Sequence, residues 1–294
     1  MAIEIKNLSK NYEKKVALKK VDLVLEDGIY GLLGSNGAGK STLLNILVTS
    51  LSQTSGEVLY NGTDIRDKGS DYLEKLGYLP QNPRFYKNYT AEEFLRYMAA
   101  LKGVNPDCLD KRIPKLLTFV NLKKEGKTKI GNFSGGMVQR IGIAQALINN
   151  PKILILDEPT AGLDPMERIR LRNLISNVAK NKIVIIATHI VPDVEYIANR
   201  IILLKNGEIC RNDKPTVLTD EIYGKVWSVN VSVDELSGIV TKNRISNIFC
   251  EDGVYNLRII SEEQPAESAV LVTPTLEDVF FYHSNVKRTR VREK

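Results

Sequence analysis

No apolar run in this chain approaches the roughly 20 residues that span a bilayer. The longest, residues 183–187, 153–156 and 201–204, are strand-sized. The first ten residues alternate apolar with charged and lack the apolar core of a signal peptide, so neither a spanning helix nor a secretory leader is expected. Cysteine is scarce. Cys108, Cys210 and Cys250 are odd in number and widely spaced, which suits neither a disulfide framework nor a zinc site and predicts reduced, buried thiols in a cytosolic protein. Internal repeats, low-complexity tracts and heptad runs long enough for a coiled coil are all missing. Neither sign of charge dominates: 41 Lys and Arg against 35 Asp and Glu leave a formal charge of +6. That balance suits acidic ligands such as nucleotides, or a membrane surface, and dictates neither.

What is present is a chain of 294 residues, 43% hydrophobic and 26% charged, long enough for one large α/β domain and a smaller appendage. Residues 2–6 and 21–25 read as strands around a turn at Glu13-Lys14-Lys15, residues 29–33 as a compact apolar strand, and residues 41–51 as a helix. Further strands are expected at 57–60 and 77–80. From Thr90 the texture becomes helical: Thr90 and Glu93 form a capping-box pattern, and Phe94, Leu95, Tyr97, Met98 and Leu101 come after them at helical spacing. Residues 110–120 suggest a second helix, with a kink at Pro114. Strand-like runs at 153–156, 183–187 and 201–204, separated by helices over 167–180 and 191–199, imply a parallel sheet covered on both faces. Near Asp220 the pattern changes. Trp227, Val229, Val231 and Val233 alternate as a half-buried strand, and Tyr255, Leu257 and Ile259 form another after the turn Glu251-Asp252-Gly253. Thr273 is positioned to cap a final helix with Pro274 at its first position. That helix would gather Leu276, Val279, Phe280 and His283 on one face, His283 in a structural role.

Two motifs carry chemistry. Gly34-Ser35-Asn36-Gly37-Ala38-Gly39-Lys40-Ser41 matches the phosphate-loop pattern between an apolar strand and a helix. Its glycines free backbone N–H groups to curl around phosphate oxygens, and the next helix points its positive end at the same anion. Lys40 reaches β- and γ-phosphates, the Ser41 hydroxyl ligates Mg²⁺, and Thr42 either adds a phosphate contact or simply starts the helix. The second motif is the apolar run ending in Asp157 and Glu158. Two acids at the C-terminal end of a buried strand are costly unless they serve an ion or a water. Asp157 is therefore assigned to Mg²⁺ and Glu158 to polarising the attacking water.

These elements alone describe a phosphate-loop NTPase. Ser134-Gly135-Gly136-Met137 after Phe133, Gln81 after Gly77-Tyr78-Leu79-Pro80, Ala161-Gly162-Leu163-Asp164, and His189 in Ala187-Thr188-His189 narrow the choice. In order and content they resemble the signature, Q-loop, D-loop and switch histidine of ABC ATPases, with Tyr12 where that family places its adenine-stacking aromatic. The resemblance covers about residues 2–215. It implies an α/β phosphate-loop NTPase core of ABC type with an inserted helical subdomain, about residues 88–148, within an ATPase domain of residues 1–219. A small C-terminal α+β appendage, residues 220–294, would come after it. It also implies ATP held between the phosphate loop of one subunit and Ser134, Gly135 and Gly136 of another. Gln81 would sense the Mg²⁺ site, His189 would hold the γ-phosphate, and Asp164 would link the two sites. Met137 departs from the Gln usual at the end of the signature and cannot repeat a side-chain hydrogen bond, which predicts altered tuning with ATP binding intact.

The family resemblance implies partners outside the chain: a separate transmembrane permease subunit, and a second copy or a homologous ATPase subunit, at the cytoplasmic face of the membrane. A single cassette without a coiled coil does not resemble the tandem translation-type or chromosome-associated members, and no nucleic acid is expected. The sequence Glu26-Asp27-Gly28-Ile29-Tyr30-Gly31-Leu32-Leu33-Gly34, the signature and the terminal Pro274-Thr275-Leu276-Glu277-Asp278-Val279-Phe280 are similar to the bacterial drug, antibiotic and peptide exporter branch. An importer ATPase is the alternative. Residues 80–86, with aromatics beside Gln81, are read as a groove for a coupling helix or a plain loop. The basic run at 287–292 is read as a solvated tail or a membrane or partner contact.

Overall fold

Period-two alternation folds the N-terminal residues into an antiparallel hairpin, β1 (Ile3–Tyr12) with β2 (Lys15–Leu25), burying Ile3, Ile5, Leu8, Leu18, Val21 and Leu23. Both strands extend well beyond the segments expected from sequence. The computed structural model describes residues 1–13, 15–67 and 69–284; Lys14 of the expected turn and the basic run at 287–292 lie outside them. The chain divides into two compact units, one spanning Met1–Ile209 and one beginning at Cys210.

In the first unit β3 (Gly28–Leu33) leads through a loop to α1 (Lys40–Leu47). β4 (Ser55–Tyr60) and β5 (Thr63–Asp64) return to β1, giving an antiparallel sheet of order β2-β1-β4-β5. After α2 (Gly69–Glu74) and β6 (Leu76–Leu79) comes the helical excursion of α3 (Ala91–Leu101), α4 (Leu109–Phe119) and α5 (Gly135–Ala146). The chain then alternates through β7 (Ile153–Asp157), α6 (Pro165–Val178), β8 (Ile183–Thr188), α7 (Pro192–Glu195) and β9 (Arg200–Lys205), and reaches β10 (Glu208–Asp213), of which Glu208 and Ile209 belong to this unit. These strands form a second sheet of order β10-β9-β3-β8-β7-β6, parallel from β9 to β6. Every residue of β7 and β8 is buried, as parallel strands covered on both faces require. Leu43, Leu44 and Leu47 of α1 join Ile5 and Leu18 of the antiparallel sheet and Ile153 and Ile155 of the parallel one in a single core.

Thr90 caps α3 through the expected box: its hydroxyl accepts from the Glu93 N–H at 3.2 Å, and the Glu93 carboxylate accepts from the Thr90 N–H at 2.8 Å. α4 carries Pro114 within it. β6 and α5 approach closely at two glycines. A Cβ on Gly77 would stand 2.2 Å from the Ala146 carbonyl oxygen, and one on Gly142 would stand 2.6 Å from Leu79 Cδ1. The helix expected over 191–199 is only Pro192–Glu195. The chain turns soon after it, and Asn199 Oδ1 accepts from the Ile29 N–H at 2.7 Å.

The second unit contains α8 (Pro215–Glu221), β11 (Val226–Val231), α9 (Val233–Lys242), β12 (Arg244–Glu251), β13 (Val254–Ile260), β14 (Val270–Leu271) and α10 (Leu276–His283). Its sheet has order β12-β13-β11-β14, and Val229, Val231, Leu257 and Ile259 form its core. The compact unit begins at Cys210, ahead of the expected boundary at 219/220, and takes in α8, which packs on α10. Val233 does not continue the strand: Ser232 and Glu235 form a capping box that starts α9, and Val233 is exposed. The last helix is capped by Thr275, not Thr273, since Asp278 closes the reciprocal box with Thr275; Pro274 therefore precedes the cap. Leu276 and Val279 of α10 are fully buried, and the helix packs on α8 and β12 of its own unit. His283 lies 3.7 Å from Glu221. The expectation of buried thiols fails: Cys108 and Cys250 are exposed and Cys210 is half-buried, though none is in a disulfide. Among the described residues no helix is long and apolar enough to cross a membrane.

Candidate functional site

The buried strand β3 drives the chain into the loop at residues 34–39, and α1 opens directly from it at Lys40. Gly39 caps the helix with φ 114°, a left-handed geometry, and a Cβ there would stand 2.6 Å from the Ala17 carbonyl oxygen. Glycine meets both demands. The loop is held from within by Ala38 N–H donating to the Ser35 carbonyl at 3.1 Å, and from outside by Gly207 N–H donating to the Ala38 carbonyl at 2.9 Å. Lys40 is 7% exposed and its ammonium donates to the Gly34 carbonyl at 2.6 Å. Burial pushes its pKa down, while Glu158 and Asp157 pull it back up. The ammonium lies 3.9 Å from Glu158 Oε1.

The acidic pair stands at the C-terminal end of β7, beside that lysine. Burial pushes the Asp157 carboxyl up, reinforced by the Glu158 charge; the neighbouring Ser41 hydroxyl and Lys40 act in the opposite sense. Asp157 Oδ1 is buried without a hydrogen-bond partner. An orphaned carboxylate oxygen beside a serine hydroxyl is a hard-oxygen donor set, and it suits Mg²⁺, which binds through one or two protein oxygens together with substrate phosphates. Among the described residues no cluster of three His, Cys, Asp or Glu is arranged to hold a metal alone.

Glu158 is 4% exposed and adopts a left-handed backbone, φ 48°, a costly conformation for a residue with a Cβ. It is fixed on three sides. Its N–H donates to the Ala187 carbonyl at 2.8 Å. Thr188 Oγ1 donates to Oε2 at 3.1 Å and itself accepts from the Ile190 N–H at 3.0 Å. His189 Nδ1 lies 2.9 Å from Oε1. His189 thus contacts the acid directly, a partnership the sequence did not indicate. Thr188 was also missed, although its place at the strand end beside His189 was the available signal.

A cleft above this floor is lined by Tyr12, Asn36, Gly37, Gly39, Lys40, Ser41, Thr42, Gln81 and Glu158, joining nine of the residues singled out from sequence. Ser35 of the phosphate loop also lines it, as do Lys15 and Ala17, which were not anticipated. Tyr12 is half exposed, with the Lys10 ammonium 5.3 Å from its ring centroid. Gly34 and Ala38 act through the loop backbone described above. Ser134, Gly135, Gly136 and Asp164 do not line this cleft. Ser134 is exposed at the N-cap of α5, where its Oγ accepts from the Met137 N–H at 3.3 Å. Asp164, also exposed, caps α6 by accepting from the Glu167 N–H at 2.9 Å. Beyond the acidic pair, Thr160 is hydrogen-bonded to the buried Asp193 of α7, tying the loop that leads to Asp164 to the segment after His189. In the loop after Gln81, Phe85 packs on Phe94 at 4.8 Å between centroids, while Tyr86 is exposed and stacks with Tyr89.

The ABC transporter family profile matches residues 18–161. A lantibiotic transport ATP-binding protein of Streptococcus pyogenes is 38% identical over 209 residues, 70% of this chain and 88% of that protein. A linearmycin resistance ATP-binding protein of Bacillus subtilis is 30% identical over 294 residues, 99% of this chain and 94% of the relative. Among solved structures, a dimeric ATP-binding cassette in a post-hydrolysis state with ADP and Pi is 29% identical. It superposes with a TM-score of 0.66 over 72% of this chain and 98% of its own.

Proposed function

Because the chain belongs to the ABC transporter family as an ATP-binding, ATP-hydrolysing protein, we propose that it powers export through a separate membrane permease subunit. The observation that carries the ATPase chemistry is the Glu158 carboxylate, held by Thr188 and His189 within 3.9 Å of Lys40 on the floor of the cleft. Glu158 takes the proton of the attacking water, and His189 and Thr188 aim its carboxylate. Lys40 offsets phosphate charge and Tyr12 stacks the base. Ser41, Asp157 and Gln81 are the residues to hold Mg²⁺, which when bound neutralises phosphate charge.

Ser134, Gly135 and Gly136 lie outside the cleft of their own chain, which supports their serving the nucleotide of a second subunit, with Asp164 beside that junction. ATP binding then draws two such subunits together and hydrolysis releases them. The permease holds the pair at the cytoplasmic face of the membrane. The second unit modulates this cycle without supplying nucleotide ligands. Export is favoured because the lantibiotic transport and linearmycin resistance relatives match over most of the chain. The test is to purify the chain with its membrane partner and reconstitute both in vesicles with the ATPase facing outward. ATP-dependent accumulation of a lantibiotic peptide in the lumen is expected of an exporter. Transport that runs outward from the lumen, or that requires a substrate-binding lipoprotein, would make this an importer.

A further inference from the structure

The hairpin that supplies Tyr12 also supplies a cation. Tyr12 and Lys15 are direct cross-strand partners at the end of β1 and β2, so their side chains share one face of the hairpin. Both line the nucleotide cleft. A Cβ built on Gly37, at the crest of the phosphate loop, would stand 3.6 Å from Lys15 Nζ. Lys15 is exposed and, among the described residues, forms no ion pair.

The charge balance below explains why such a group is useful. Lys40 is the buried cation of the site, but it faces both Glu158 and Asp157 and spends a hydrogen bond on the Gly34 carbonyl. A phosphate tail brings several further negative charges to a floor already holding two carboxylates and one ammonium. Lys15 sits on the open side of the loop with its charge uncommitted.

We propose that Lys15 is a second phosphate-binding cation of the cleft, closing over the nucleotide's phosphate tail from the rim while Tyr12 on the same rung takes the base. This rests on the ATPase reading and adds a residue to it. Lys15 contacts the tail through the solvent side, so it strengthens ADP and ATP alike, and its contribution weakens with salt.

The experiment is equilibrium titration of the full-length chain with Mg·ATP and Mg·ADP at two ionic strengths, using Lys15→Gln, Lys15→Arg and Lys15→Glu. Because Lys15 is exposed, thermal unfolding of the nucleotide-free variants should match the unaltered protein, separating folding from binding. Lys15→Gln is expected to raise Kd for both nucleotides about threefold to tenfold and to flatten the salt dependence. Lys15→Glu should lose more, and Lys15→Arg should stay near the unaltered value. Kd values within twofold of the unaltered protein for both the Gln and Glu variants would overturn the proposal, as would an Arg variant as weak as Gln. Failure of the unaltered chain to bind ATP would instead bring down the ATPase reading itself.

Discussion

Replacing Glu158 with Gln separates the chemistry of this site from its architecture. The carboxamide keeps the shape of the side chain, and its oxygen can still accept from Thr188 Oγ1, now 3.1 Å away. It removes the negative charge 3.9 Å from Lys40, a Coulomb attraction of about 4 kcal/mol at an effective dielectric near 20. Release of a carboxylate that is only 4% exposed from its desolvation cost offsets much of that loss, so the protein should still fold. The amide cannot accept the water's proton. General-base catalysis contributes about 10²- to 10⁴-fold, so hydrolysis should fall by that factor, roughly 3–5 kcal/mol of barrier. ATP binding should persist or tighten, because one of two carboxylates facing the phosphates is gone. Phosphate-release kinetics beside fluorescent-ATP titration measure the two effects separately. Hydrolysis within about threefold of the unaltered rate, in a folded variant that binds ATP, would remove Glu158 from the role of base.

Lys40→Ala should abolish measurable ATP binding or turnover by fluorescent-nucleotide titration and phosphate release, since it deletes the buried cation of the site. His189→Ala should keep ATP affinity within a few-fold while lowering hydrolysis about 10²-fold, because it frees the Glu158 carboxylate; normal steady-state turnover would contradict this. Light scattering should find the isolated chain monomeric without nucleotide, and Glu158→Gln with Mg·ATP should shift it toward a dimer. Asp278 gives a pH test of the second unit. Burial alone would raise its carboxyl, but hydrogen bonds from Arg258, Ser246 and Thr275 hold it below the usual range. Its folded pKa is therefore depressed, and the stability it confers is present above about pH 4 and lost as pH falls through the folded value. Thermal unfolding between pH 6 and 3 should show this loss, and Asp278→Asn should be weaker at pH 6 by about 2 kcal/mol and less pH-sensitive.

Where a residue's role comes from its own chemistry, the sequence was legible. A phosphate loop needs its glycines and lysine in one contiguous stretch, and an acid pair ending an all-apolar run has few other uses; the structure brings the loop and Glu158 into one cleft, with Asp157 beside Ser41. The partnership of His189 and Thr188 with Glu158 was not legible, because β7 and β8 become neighbours only in the sheet. Lys15 looks in the sequence like a mere turn residue, since cross-strand register, not composition, brings it to the cleft beside Tyr12. In the second unit α9 is hidden behind Val233, whose apolar character prolongs the apparent strand, although Ser232 and Glu235 hold the capping signal. β12 leaves no strand signal in the sequence because most of its residues are exposed and no clean alternation marks it.

The close contact between β6 and α5 has a mechanical consequence. Side chains usually cushion a helix against a strand and absorb small displacements by changing rotamer. Here the Gly77 backbone lies against the Ala146 carbonyl, and Leu79 fills the notch left by Gly142, so there is little to deform. β6 runs straight into Gln81, and α5 begins at Ser134. Alanine at Gly77 would press on the Ala146 backbone, which has no rotamer to yield, and should therefore push β6 and α5 apart.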